Sequence, residues 1–149
     1  MYGILYVMHK SFYASGFLFH PPTQQILLQQ LTNSSAHWSL FGGEGLDTET
    51  PELTFQRIVH ANLHLKLAVR SIIQVYDYFH KELGKNHVIV YARIEKLKDF
   101  SKKNSSLAWF TRQQLHKLHL SEQTRQDITV GHRVIDAKER KHLGLHTLE

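Results

Sequence analysis

Four acids crowd the short segment after Gly42-Gly43: Glu44, Asp47, Glu49 and Glu52. Carboxylate oxygens are the hard ligands that Mg²⁺ takes in octahedral geometry, so this loop is where metal-assisted phosphate chemistry would sit. The backbone carbonyls of Gly42 and Gly43 add neutral oxygens beside them. His60 and His64 stand four residues apart, the helical spacing at which two imidazoles bind a transition metal. His116 and His119 form a second close pair. At about 100° per residue, His60 and His64 turn away from Ile58, so both pairs are expected as solvated surface histidines. Asp47 and Glu52 read as loop and helix-start charges, and Glu82 as an exposed turn residue.

These residues belong to a longer pattern. In GGEGLDTETPELTFQRIVHANLHL, residues 42–65, five residues separate Gly43 from Glu49 and seven separate Glu49 from Arg57. Val59 and Leu65 come next as bulky aliphatics. This spacing resembles the Nudix box, G-x5-E-x7-R-E-U-x-E-E-x-G-U, where U is a bulky aliphatic residue. Trp38-Ser39-Leu40-Phe41-Gly42-Gly43 resembles the W-x-x-P-G-G segment of the same family, with Phe41 in place of proline. Leu107-Ala108-Trp109-Phe110-Thr111, then Gln114 and Leu115, is similar to its W-F/V-x-x-x-E-L segment, with Gln114 at the glutamate. The resemblance extends over about residues 13–135.

The resemblance implies an α+β fold, an αβα sandwich around a mixed β-sheet. It implies hydrolysis of a nucleoside diphosphate linked to another moiety, with Mg²⁺ or Mn²⁺ as cofactor and a nucleotide or nucleoside-diphosphate-linked small molecule as partner. It implies Glu49 as the catalytic and metal-binding residue, and Gly42, Gly43, Arg57 and Trp38 as ligand-binding residues. Arg57 would orient Glu49 through a salt bridge. The chain departs from the pattern where the metal is held: Ile58, Ala61 and Asn62 occupy the slots of three metal-binding glutamates, and His64 replaces the late glycine. Isoleucine and alanine cannot bind a hard cation, and Asn62 offers one neutral carbonyl oxygen. The expectation is therefore an activity that is weak, altered or absent. The alternative is a noncatalytic nucleotide- or metabolite-binding or protein-interaction module, a homodimer among its forms.

The elements that must position these residues are readable from pattern. Tyr13–His20 and Gln25–Leu31 read as a hairpin turned at Pro21-Pro22. A polar loop at Asn33–His37 precedes a short buried strand, Trp38–Phe41, that leads into the glycines. Thr50 can cap a helix with Pro51 at its first position and Glu52 at the positive end of its dipole. Phe55, Val59 and Leu63 then form one buried stripe. Arg70–Phe79 and His87–Ile94 are β-rich runs around a turn at Lys81–Asn86. After a loop at Lys102–Ser106 come a strand at Leu107–Phe110, a helical turn at Thr111–Leu115 and a helix capped by Ser121 that runs to about Ala137. Trp38, Tyr76, Tyr78 and Trp109 offer a base-stacking cleft or, the commoner fate of such aromatics, core.

Composition sets outer bounds. The 149 residues, 42% hydrophobic and 21% charged, suit one domain over residues 1–147, with Leu148 and Glu149 read as a tag scar. Cysteine is absent, which rules out a disulfide frame or thiolate metal site. No apolar run reaches membrane-spanning length, so no membrane partner is expected, and the location read from the sequence is cytoplasmic. A net charge of +5 favours anionic ligands such as nucleotides without specifying a nucleic acid. The lysines and arginines at 96, 98, 102, 103, 138, 140 and 141 read as solvated charge. Twelve histidines would add to the net charge in mild acid.

Overall fold

The computed structural model describes residues 11–30, 37–100 and 106–144. Among these, β1 (Phe12–His20), β2 (Gln25–Gln30), β3 (Trp38–Glu44), β4 (Ile73–His80), β5 (Lys85–Arg93) and β6 (Leu107–Phe110) join in one sheet, ordered β4-β5-β1-β3-β2-β6. β1 runs parallel to β5 and antiparallel to β2 and β3, so the sheet is mixed. Helix α1 (Pro51–Leu63) covers one face, while the short α2 (Arg112–Leu115) and the long α3 (Glu122–His142) cover the other. This is the expected αβα sandwich.

Alternation along the strands builds both layers. Leu18, Leu27, Val88 and Val90 point to one face, where Phe55, Val59 and Leu63 of α1 close over them. Phe17, Phe19, Ile26, Leu28, Ile89 and Tyr91 point to the other, beneath Leu115, Ile128 and Ile135. The central strands are therefore apolar on both sides, as strands covered on both faces must be. The caps read from the sequence also form: Thr50 accepts from Leu53 N–H, and Ser121 accepts from Thr124 N–H. Thr111 and Gln114 make a reciprocal capping box at the start of α2.

Several boundaries differ from expectation. β3 continues through Gly42-Gly43 to Glu44, because Ser15 and Ala14 of β1 pair with the two glycines. Residues 69–71 wind into a single 3-10 turn, in which Ser71 Oγ donates to the Ala68 carbonyl, so β4 starts only at Ile73. The β4–β5 turn closes at Gly84, with φ +66, and Lys85 and Asn86 already pair with His80 and Phe79. Helix α3 runs five residues past Ala137, ending in Arg140, Lys141 and His142, cations that suit the negative end of its dipole. The expected loop at residues 33–36, Leu31, Lys102, Lys103 and the final two residues lie outside the described residues. Among the described residues no helix is long and apolar enough to cross a membrane.

Helix α1 ends at Leu63, and His64 adopts the left-handed conformation, φ 55 and ψ 31, while its N–H still bonds to the His60 carbonyl. Left-handed backbone costs an L residue about 1 kcal/mol or more relative to glycine. The glycine of the box pattern thus has a conformational reason that this chain forgoes. His64→Gly is predicted to stabilise the fold by about 1 kcal/mol, read as a higher urea midpoint at unchanged slope. A lower midpoint would mean that the imidazole makes a compensating contact.

Candidate functional site

The loop between β3 and α1 is organised around one carboxylate. Glu49 Oε2 accepts from Arg57 Nε at 2.7 Å, and Oε1 accepts from Arg57 Nη2 at 3.0 Å, a bidentate pair. Oε1 also accepts from Leu46 N–H and from Thr54 Oγ1, each at 2.9 Å. Arg57 Nη2 donates further to the Glu44 carbonyl at 2.9 Å. One carboxylate and one guanidinium thus tie the loop 44–50 to the first two turns of α1. The Arg57 hydrogen bond, helped by those from Leu46 and Thr54, holds the Glu49 carboxyl down to about 2 against the opposing effect of burial.

The three helix positions of the box pattern look different. A Cβ on Gly43 would lie 2.7 Å from Ile58 Cδ1, so the isoleucine side chain already lies against that glycine. Ile58 is buried and belongs to the α1-side core. Ala61 is exposed and apolar. Asn62 turns its amide back on its own helix, with Nδ2 donating to the Ile58 carbonyl at 2.8 Å. Gly42 is required by close approach, since a Cβ there would lie 2.2 Å from the Ala14 carbonyl oxygen. A hard divalent cation seeks several carboxylate or water oxygens. The residues here present an aliphatic side chain, a methyl and an amide engaged with its own backbone, together with a Glu49 already accepting four hydrogen bonds. They do not fit Mg²⁺ or Mn²⁺.

The remaining sequence candidates are dispersed. Trp38 begins β3, about 13 Å along the strand from Gly42, and packs edge-on against Phe110. Its backbone N–H donates to the His119 carbonyl. Trp109 lies on the opposite face of the sheet, its Nε1 donating to the Lys98 carbonyl. His60 and His64 are both exposed, and Glu82 lies exposed in the β4–β5 turn. His119 stacks on His37, centroids 4.2 Å apart, and His116 caps α2. Among the described residues no group of three or more histidines or acids is placed to hold a metal ion.

Sequence reading missed a buried polar network on the α3 face. Asp127 of α3, 3% exposed, accepts from Tyr76 O–H, from Tyr78 O–H at 3.1 Å and from Gln123 Nε2 at 3.0 Å. A bulge at Gln74/Tyr76 shifts the register of β4, and Tyr76 and Tyr78 stack with centroids 5.6 Å apart. Tyr78 oxygen also lies 2.8 Å from His87 Nδ1, and His87 Nε2 lies 2.6 Å from Ser15 Oγ. Because the one Tyr78 proton goes to Asp127, its oxygen must accept from His87 Nδ1–H. Burial pushes the His87 imidazole down to about 4, so it is neutral at pH 7 and Nε2 must accept from Ser15. The hydrogen bonds therefore run one way, from Ser15 through His87 and Tyr78 to Asp127. Beside them lies a cavity of about 190 Å³ lined by Tyr13, Ser15, Ser39, His87, Thr124 and Asp127. The β4–β5 hairpin pairs Tyr78 with His87, and β1–β5 pairing and the docking of α3 bring in Ser15 and Asp127 from positions distant in sequence.

Acid should therefore act in two windows. His87 and His132 are both held down to about 4 by burial, from an ordinary 6.5. The unfolded chain binds their protons first, so stability falls as pH drops from about 6.5 towards 4. Glu49 works in a lower window: its contribution is full above an ordinary 4.5 and is lost as pH falls towards 2. Arg112 also holds the Asp136 carboxyl below its usual range, so Glu49→Gln is predicted to shrink the lower window and leave the upper one unchanged, read from urea midpoints against pH. At pH 7 Arg57→Ala should cost about 1–2 kcal/mol, since the pair is bidentate but half open to solvent. An unchanged midpoint would deny the clamp.

No model of a protein family matches the sequence, and no curated protein is similar to it. Solved structures are. A mutT/nudix family protein from Listeria innocua superposes with a TM-score of 0.66 at 16% identity, over 89% of this chain and 97% of its own. The NUDIX domain of Shewanella oneidensis NrtR, crystallised with ADP ribose, gives 0.67 at 17% identity, over 91% and 99%. A chain from the complex of the mouse MUTYH C-terminal domain with human PCNA gives 0.65 at 10% identity, over 94% of each chain. With the order of strands and helices above, these likenesses establish that the chain carries the Nudix fold.

Proposed function

We propose that this chain is a Nudix-fold binding protein, which holds a nucleotide or nucleotide-linked metabolite and does not hydrolyse it by the metal-dependent route. The observation that carries this reading is Ile58, packed onto Gly43 at a position where the box pattern has a metal-binding glutamate. An aliphatic side chain there leaves no oxygen to neutralise pyrophosphate charge or to hold a cation that would activate water. The four hydrogen bonds to Glu49 support a structural role for the remaining carboxylate.

The cavity beside Ser15 and His87 supports binding. At about 190 Å³ it is smaller than the ~300–1,000 Å³ of sites that enclose a whole ligand, so it suits one ring of a larger molecule. Its lining combines an aromatic ring, Tyr13, and the apolar Leu40 and Leu83 with the hydroxyls of Ser39 and Thr124 and the carboxylate of Asp127, a mixture that orients a heterocycle. The formal charge of +5 favours the phosphates that such a ring would carry. The NrtR domain bound ADP ribose in its crystal, which makes that molecule the first to try.

A panel of ADP-ribose, dinucleoside polyphosphates and nucleoside triphosphates would be tested by thermal melting with and without Mg²⁺, and in parallel for phosphate release. The expected result is a raised melting temperature for at least one nucleotide, independent of Mg²⁺, with no turnover. Ser39→Leu, which fills the cavity, should abolish that shift while the variant remains folded. Turnover that Glu49→Gln abolishes would establish a divergent hydrolase and overturn the proposal.

A further inference from the structure

A second cavity, of about 280 Å³, lies between α2 and α3. Its α3 lining comes from two four-residue series, Ile128-His132-Asp136 and Arg125-Thr129-Arg133. The floor is apolar, formed by the buried Leu115 and Ile128. The wall carries three arginines, Arg112, Arg125 and Arg133, against a single carboxylate, Asp136. Asp136 is already engaged by both terminal nitrogens of Arg112. Arg125 and Arg133 are exposed, and Arg133 pairs with no acid among the described residues.

Two buried nitrogens have hydrogen-bonding capacity to spare. Arg112 Nε and His132 Nε2 are both shut off from solvent and have no partner among the described residues. His132 is only 9% exposed, with its ring tilted against Phe17 at 6.2 Å. Burying a polar group without a partner costs about 1–3 kcal/mol, so Arg112 Nε–H favours an acceptor placed in the cavity, as does His132 Nε2 in the tautomer that carries its proton there. An oxyanion supplies acceptor oxygens to both, and its charge answers the arginine excess.

We propose that the α2–α3 cavity is a second ligand site, which takes a small organic anion with a carboxylate or phosphate head on an apolar body. The head accepts from Arg112 Nε–H and His132 Nε2–H once the two side chains turn these atoms, sealed in the free protein, towards it, and it faces Arg125 and Arg133; the body lies on Leu115 and Ile128. The volume, near the ~300 Å³ lower end for small-molecule sites, limits the body to about one ring. This site shares no lining residue with the Ser15–His87 cavity, so either reading can fail alone.

Titration calorimetry with phenyl phosphate and benzoate tests it, with inorganic phosphate as the head alone and benzyl alcohol as the body alone. At least one of the organic anions should bind saturably, at least about tenfold more tightly than either half, and their ranking identifies the head. Arg133→Gln, a change on the exposed rim, should weaken binding about tenfold, His132→Phe should weaken it further, and Ser39→Leu should leave it unchanged. Melting curves establish that each variant folds. Should His132→Phe fail to fold, Arg125→Gln takes its place with the same tenfold expectation. Absence of saturable binding by both anions at millimolar concentration would overturn the proposal. So would equal binding by benzyl alcohol, or an affinity that Arg133→Gln does not change.

Discussion

A carboxylate taken out of water must be given back its hydrogen bonds, and this fold meets that demand on both faces of its sheet. On the α1 face Glu49 is surrounded by Arg57, Leu46 N–H and Thr54, which fixes the loop after β3 to the next helix. On the α3 face Asp127 draws in Tyr76, Tyr78 and Gln123, which fixes α3 to β4. Removing either acid would leave several donors with no acceptor, and the helix it anchors would lose its register with the sheet. The two layers of apolar side chains supply most of the driving force. These carboxylates, with Glu139 of α3 held by Tyr91 and Arg93 of β5, help to decide where the helices sit on them.

The two anchors leave different chemistry behind. Around Glu49 the donors of Arg57, Thr54 and Leu46 N–H converge on the carboxylate, and Ile58 of α1 packs on Gly43. Around Asp127 the hydrogen bonds continue outwards through Tyr78 and His87 to Ser15, at the wall of a cavity. A directional set of polar groups is suited to recognising a ring by its edge, whereas an aliphatic surface is suited to packing. The reading of a binding protein rests on that contrast, with the loop and α1 kept as scaffold and the opposite face supplying recognition.

Much of this was legible in the sequence where the signal is local. Thr50-Pro51-Glu52 marked the start of α1, the Phe55-Val59-Leu63 spacing marked its buried side, and Pro21-Pro22 marked the first hairpin. The Glu49–Arg57 pair came from the resemblance, and the geometry gives it in bidentate form. What was not legible depends on contacts distant in sequence. Ser15 and His87 are 72 residues apart, and Tyr76 and Asp127 are 51 apart. The bulge in β4 breaks the alternation on which strand reading rests. The twelve histidines looked like one acid-sensitive population, yet burial keeps His87 and His132 neutral well below the pH at which solvated imidazoles charge. His60 and His64 do not even share a helix, since the second is the left-handed residue that ends it.

Whether the loop and α1 still hold a metal is the question on which the functional reading turns, and it can be asked directly. Mn²⁺ is paramagnetic and broadens the nuclear resonances of residues near any site it occupies. The amide resonances of Gly42, Gly43, Glu49 and Arg57 would be followed through a Mn²⁺ titration of the labelled protein. If Ile58 has closed the site, these signals should broaden no more than those of exposed acids elsewhere, such as Glu82. Selective broadening at low Mn²⁺, abolished by Glu49→Gln, would contradict that and return Glu49 to the role of metal ligand.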